Sequence, residues 1–241
     1  MSCGLAFLKE ICPANIDLEK YFVVENEIKS INDINAHMCS SLQNRNRMAR
    51  IINFKKNRPI FSDILFGFEP KSILNNYNEN NLFSVFKERF NIKNADGFQN
   101  IWYRYAKYIL SGCNFLNQFE NINQFNNFIE YFLKDKLTRA ALPLLLAQEI
   151  DGLGFVLACD FLKELGYIEY PKPDVHLKDI FAAFNLCAKN KYDVYKAIIR
   201  MAEACNVTPY RVDKVFWLIC SGNYYLDNIN IRGRKKELIS R

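Results

Sequence analysis

Apolar residues recur at three- and four-residue steps along most of the chain. Between positions 97 and 119, Ile101, Tyr105, Tyr108, Ile109, Cys113 and Leu116 fall on one face of a helix. Phe125, Phe128, Ile129 and Phe132 repeat the pattern, as do residues 192–205 and 208–220. Strict alternation over five or more positions, the mark of a half-buried strand, is nearly absent. Pro and Gly number only 7 and 9 and sit between the periodic runs. The pattern predicts an all-α protein with short connections. The Asn-rich run at 75–81 reads as a loop.

Composition changes this picture little. The chain has 241 residues, half of them hydrophobic and 15% aromatic. That suffices for one large domain or two small ones with real cores. The net charge of +6 suits a polyanionic partner without identifying one. Its distribution says more. Arg45, Arg47, Arg50, Lys55, Lys56 and Arg58 form one basic stretch with no acid between Asn35 and Ser62. Arg232, Arg234, Lys235, Lys236 and Arg241 form a second. The eight cysteines include no Cys-x-x-Cys pair, and with only two His they predict free thiols and no metal site. No run of about 18 apolar residues suggests a membrane span, and the N-terminus lacks the pattern of a secretory signal. The chain therefore reads as cytoplasmic.

Two local features carry chemistry. Residues 142–150 and 155–165 read as two short helices around the turn Asp151-Gly152-Leu153-Gly154, the second ending at Gly166. Glycines here permit positive φ and close approach of a ligand. The free amides at the start of the second helix then suit a phosphate. An ordinary helical hairpin explains the same glycines. About twenty residues on, Tyr170-Pro171-Lys172-Pro173 holds the chain extended, and Asp174 falls at the N-cap of a helix over 175–184. Capping alone explains an Asp there; a carboxylate presented beside the hairpin is the functional alternative.

Together, the glycine hairpin and Pro173-Asp174-Val175-His176 resemble the helix-hairpin-helix DNA glycosylase superfamily. There a Leu-Pro-Gly-x-Gly hairpin precedes a Val-Asp-x-His segment at a similar distance. The resemblance covers roughly residues 59–184, with Lys107 near a basic position of the family. It implies two helical subdomains, 59–168 and 1–58 plus 169–241, with Asp174 in the cleft between them. It implies a monomer on double-stranded DNA that hydrolyses the N-glycosidic bond of a damaged or mismatched base, with no cofactor. Asp174 would be catalytic. Gly152, Leu153, Gly154, Lys172, Arg47 and Arg50 would hold the DNA backbone, and Trp102, Tyr105 and His176 are candidates for the base pocket. The helical spacing of the two aromatics also predicts core packing.

Three departures qualify this. Val156 stands where bifunctional members carry a Schiff-base Lys, so no imine can form there. Lys163 is expected on a solvated face. Asp151 replaces the hairpin Pro and is expected to cap the second helix. A DNA-binding protein without chemistry is the alternative reading.

Overall fold

The computed structural model describes residues 1–24, 28–93, 97 and 99–241; the side chains at 47 and 137 also lie outside the description. The protein is all-α. In chain order the helices are α1 (Ser2–Ile11), α2 (Ile31–Leu42), α3 (Ala49–Ile52), α4 (Phe54–Ile64), α5 (Pro70–Asn76), α6 (Glu79–Arg89), α7 (Ile101–Leu116), α8 (Ile122–Leu133), α9 (Lys136–Arg139), α10 (Ala141–Glu149), α11 (Phe155–Glu164), α12 (Val175–Ala183), α13 (Lys191–Ala204), α14 (Pro209–Ser221) and α15 (Lys235–Ser240). A ribbon of two short antiparallel strands, Asn223–Tyr224 and Ile229–Asn230, follows α14. Among the described residues, no helix is long and apolar enough to cross a membrane.

Asparagine sets many of the boundaries. Asn78, Asn100, Asn121 and Asn190 accept backbone N–H bonds at helix N-termini, where a short polar side chain satisfies an otherwise orphaned donor. Asn46, Asn53, Asn91, Asn185, Asn206 and Asn228 take positive φ, which Asn tolerates better than most residues. The run at 75–81 is therefore no loop. α5 ends at Asn76, and Asn78 and Asn81 form a reciprocal capping box at the start of α6.

The chain divides into two compact units, Glu27–Phe161 on one side and Met1–Asn26 with Leu162–Arg241 on the other. Residues 27–58, expected with the C-terminal half, thus belong to the unit that carries the hairpin. Long-range bonds from α2 show why. The fully buried Tyr105 hydroxyl of α7 donates to the Cys39 carbonyl at 2.9 Å. Buried Asn35 donates to the Phe68 carbonyl at 2.8 Å and lies against Cys113. Neither side chain can satisfy its polar atoms in water, so α2 is fixed to this unit. Around them packs an aromatic core: Phe61 contacts Phe54, Phe86, Phe90, Trp102 and Tyr105 at centroid distances of 5.0–6.3 Å. Trp102 and Tyr105 are core residues, and this corrects their assignment to a base pocket.

The other unit is built around α14. Val212, Val215, Phe216 and Ile219 pack with Phe7 and Leu8 of α1, Leu177, Ile180 and Phe181 of α12, and Val194 and Ile198 of α13. The C-terminal basic residues are largely spent on carboxylates: Lys235 on Asp179, Arg234 on Glu237, and Arg241 on Glu10.

Asn35→Ala removes a buried donor and strands the Phe68 carbonyl in the turn Phe66-Gly67-Phe68, whose three residues all have positive φ. The expected cost is about 2 kcal/mol. Thermal denaturation followed by circular dichroism should show Tm lower by roughly 5 °C; an unchanged Tm would show that Asn35 does not fix α2.

Candidate functional site

The hairpin lies in the Glu27–Phe161 unit and is gripped by one face of α7. Lys107 Nζ pairs with Asp151 Oδ2 at 2.9 Å. Ser111 Oγ accepts the Asp151 N–H at 2.8 Å. The Tyr108 ring lies so close to Gly152 that a Cβ there would sit 2.5 Å from its Cγ. Positions i, i+1 and i+4 of a helix thus fix the turn by charge, contact and hydrogen bond. Asp151 is an ion-pair partner and not a helix cap, which corrects that expectation. Lys107, in turn, is committed to Asp151.

The two glycines do different work. Gly152 has φ +88°, a conformation that costs any other residue, and it is buried under Tyr108. Gly154 has ordinary φ, and nothing lies within 4 Å of where its Cβ would be. Only Gly152 therefore needs glycine for its backbone. Leu153 is buried and its N–H bonds to the Ile150 carbonyl at 3.1 Å. Among the described residues, the Gly152 and Gly154 amides have no acceptor. The second helix closes at Gly166 with φ +99° and a Tyr167 N–H to Leu162 carbonyl bond of 3.1 Å.

The basic stretch belongs to the same unit. The Arg45 guanidinium stands 5.4 Å from the centroid of the Tyr108 ring that covers Gly152. Arg50, Lys55 and Lys56 are exposed. The Arg47 side chain lies outside the described residues.

Asp174 lies in the other unit and heads α12. Its Oδ1 accepts the His176 N–H at 2.8 Å and the Leu177 N–H at 3.1 Å. The residue is partly buried, neither sealed nor open. Burial pushes its carboxyl above the usual range, and the nearby Asp213 carboxylate adds to the rise. The Leu177 N–H, His176 and Lys172 oppose it. The His176 Nδ1 is buried and finds no hydrogen-bond partner among the described residues.

Beneath this segment lies a buried pair that spacing did not reveal. Asp213 on α14, with a side chain 2% exposed, accepts the Lys172 backbone N–H at 2.9 Å and the Lys163 ammonium at 3.2 Å. Lys163 is itself only 6% exposed. It is buried and paired, which corrects its placement on a solvated face. The next residue, Lys214, donates to the Tyr225 hydroxyl at 2.9 Å and stands 4.8–5.5 Å from the rings of Tyr225, Tyr210 and Trp217. The adjacent charges Asp213 and Lys214, embedded in the apolar run 208–220, were the available signal. Among the described residues, no group of three or more His, Cys, Asp or Glu could hold a metal.

No family model and no curated protein matches the chain. A solved structure does: the Methanocaldococcus jannaschii 8-oxoguanine glycosylase/lyase in complex with a 15mer DNA containing 8-oxoguanine. It matches at 16% identity with a TM-score of 0.57, over 89% of this chain and 95% of that one. The chain shares the all-α fold of that protein. At this identity the likeness fixes the arrangement of helices, and any chemistry has to be argued from this chain's own residues.

Two outcomes test the local readings. Gly152→Ala should cost at least 1–2 kcal/mol from its left-handed backbone alone, plus the displacement of Tyr108. Gly154→Ala should leave Tm within about 1 °C, since space and φ both allow a methyl group. Equal losses at both sites would refute the distinction. Asp174→Asn tests the raised carboxyl. The folded state holds the proton more tightly than the unfolded chain, so the charged group costs stability as pH rises through its folded value. Asn still caps the helix. Asp174→Asn should therefore melt at or above the wild-type Tm at pH 7, and the gap should narrow toward pH 4. A lower Tm at pH 7 would overturn this account.

Proposed function

We propose that the protein is a monomeric DNA N-glycosylase that removes a damaged or mismatched base from double-stranded DNA by hydrolysis, with no Schiff-base step. The observation that carries the reading is Asp174, a partly buried carboxyl at a helix start whose Oδ1 accepts two backbone amides. A carboxyl fixed at a helix start, with its proton affinity raised by burial, suits a reaction that develops positive charge and moves a proton.

In this reading the Gly152 and Gly154 amides, at the start of α11, take a phosphate of the strand, and the exposed Arg50 neutralises neighbouring phosphates. Lys172 supports the backbone next to Asp174. The target nucleotide leaves the stack, which a damaged or mismatched base does at least cost. As the bond from C1′ to the base nitrogen breaks, Asp174 stabilises the oxocarbenium-like sugar. It then accepts a proton from the water whose oxygen bonds to C1′, and the base departs with the bonding electron pair. His176 is the remaining candidate to face the base.

Val156 supplies no amine, and Lys163 is held as the partner of Asp213. Borohydride should therefore trap no covalent complex with lesion-bearing DNA. The test is alkali cleavage of duplexes carrying 8-oxoguanine, alkylated purines, oxidised pyrimidines, uracil or mismatches. Release from at least one is expected, with Asp174→Asn at least about 100-fold slower and binding the duplex normally. A trapped adduct would overturn the hydrolytic mechanism. Val156 also favours a second reading, a DNA-binding protein without chemistry; tight duplex binding with no base released would select it. Absence of DNA binding would sink both.

A further inference from the structure

We propose that Asp213 is a positioning residue for Asp174: paired with Lys163 in the interior, it fixes the Lys172–Asp174 segment that carries the working carboxylate. The inference rests on the glycosylase reading for its function, but its geometry is independent of it.

A buried ion pair is a weak source of stability, because desolvating both groups offsets most of their attraction. What this pair supplies is placement. Asp213 sits on α14, the central helix of its unit, so its side chain is fixed by packing. Of its bonds, one goes to the ammonium of Lys163 on α11. The other goes to the N–H of Lys172, two residues before Asp174. That backbone lies between Pro171 and Pro173, neither of which has an N–H, so the Lys172 amide is the single backbone donor in the Pro171–Pro173 span. Asp213 thus holds the extended segment through its one available donor. Asp174 follows at once, with its own oxygen committed to the first turn of α12. The carboxylate is located from both sides, by α14 upstream and α12 downstream.

The charge has a separate consequence. Groups that act on Asp174 come from three helices and the segment itself: Asp213 and Cys220 from α14, Lys235 from α15, His176 from α12, and Lys172 upstream. Of these, Asp213 is the strongest that favours the protonated form. Tyr210, one turn earlier on α14, also feels both Asp213 and Lys163. A carboxylate with raised proton affinity is a better acceptor for the proton of water.

The two consequences separate by substitution. Asp213→Asn with Lys163→Met removes both charges and leaves no buried ion unpaired, while the Asn oxygen can still accept the Lys172 N–H. Asp213→Leu with Lys163→Met removes the acceptor as well. Both are made in the full chain, with circular dichroism melts as the control for folding. In the first variant, the carboxyl titration of Asp174, followed by carbon-13 NMR and assigned with Asp174→Asn, should move to lower pH. The acid limb of the pH–rate profile should move with it, and kcat at pH 7.5 should fall by about threefold as the weaker base takes the proton of water. In the second, kcat should fall about 10- to 100-fold from displacement of the segment, with the Kd for a lesion duplex within about twofold. The inference is overturned if both variants fold with an unmoved Asp174 titration, or if the Leu variant keeps wild-type kcat. A wild-type protein that releases no base, with a titration that still shifts in the Asn variant, defeats the glycosylase reading and leaves the Asp213–Asp174 coupling standing.

Discussion

The arrangement depends on a carboxyl, Asp174, whose ionisation burial and a second carboxylate both oppose. Burial of Asp174 and the neighbouring Asp213 carboxylate oppose its charged form more than the two amides of α12, His176 and Lys172 favour it, so its carboxyl lies above the usual range. Each of these partners is positioned by something else. The α12 amides need the helix, the helix needs Leu177, Ile180 and Phe181 against α14, and α14 carries Asp213. The same packing that stabilises the unit thus brings together the groups that make Asp174 costly.

The hairpin obeys a different constraint. A phosphate site of backbone amides requires donors that the protein leaves unused and a turn rigid enough to present them. The protein uses the amides of Asp151 and Leu153 to build the turn and leaves those of Gly152 and Gly154 without an acceptor among the described residues. Rigidity comes from α7, whose Lys107, Tyr108 and Ser111 contact consecutive parts of the turn. The ion pair with Lys107 also offsets the charge of Asp151, which would otherwise set a bare carboxylate beside the proposed phosphate site. An acid in the hairpin is thus compatible with an anionic ligand.

How much of this was legible in the sequence follows from the range of each interaction. The hairpin, its closing Gly166 and the cap at Asp174 are encoded within four residues of themselves, and spacing reveals them. Helical periodicity placed the all-α fold, and it correctly weighed Trp102 and Tyr105 toward the core even where stacking chemistry suggested a pocket. The Asn-rich run misled because Asn marks caps and left-handed turns as readily as loops. What stayed hidden is long-range. Lys163 meets Asp213 fifty positions away, Lys107 meets Asp151, and α2 is tied to its unit by Asn35 and Tyr105. A lysine in a helix interior looks the same in sequence whether its partner is water or a buried carboxylate. Only tertiary packing decides.

The absence of an amine at Val156 then bears on the carboxylate. In a covalent mechanism the amine attacks the sugar and the carboxylate assists. With an apolar side chain there and Lys163 bound as an ammonium, water is the nucleophile left to the proposed reaction. Water is a poor nucleophile unless a base takes its proton as the bond forms, and a base is most effective when its proton affinity is raised without losing the charge at working pH. Burial and Asp213 raise the proton affinity of Asp174, while the amides of α12 favour its ionised form. In the proposed reaction Val156 and Asp213 therefore act together: the hairpin offers no amine, and Asp213 raises the proton affinity of the carboxyl proposed to activate water.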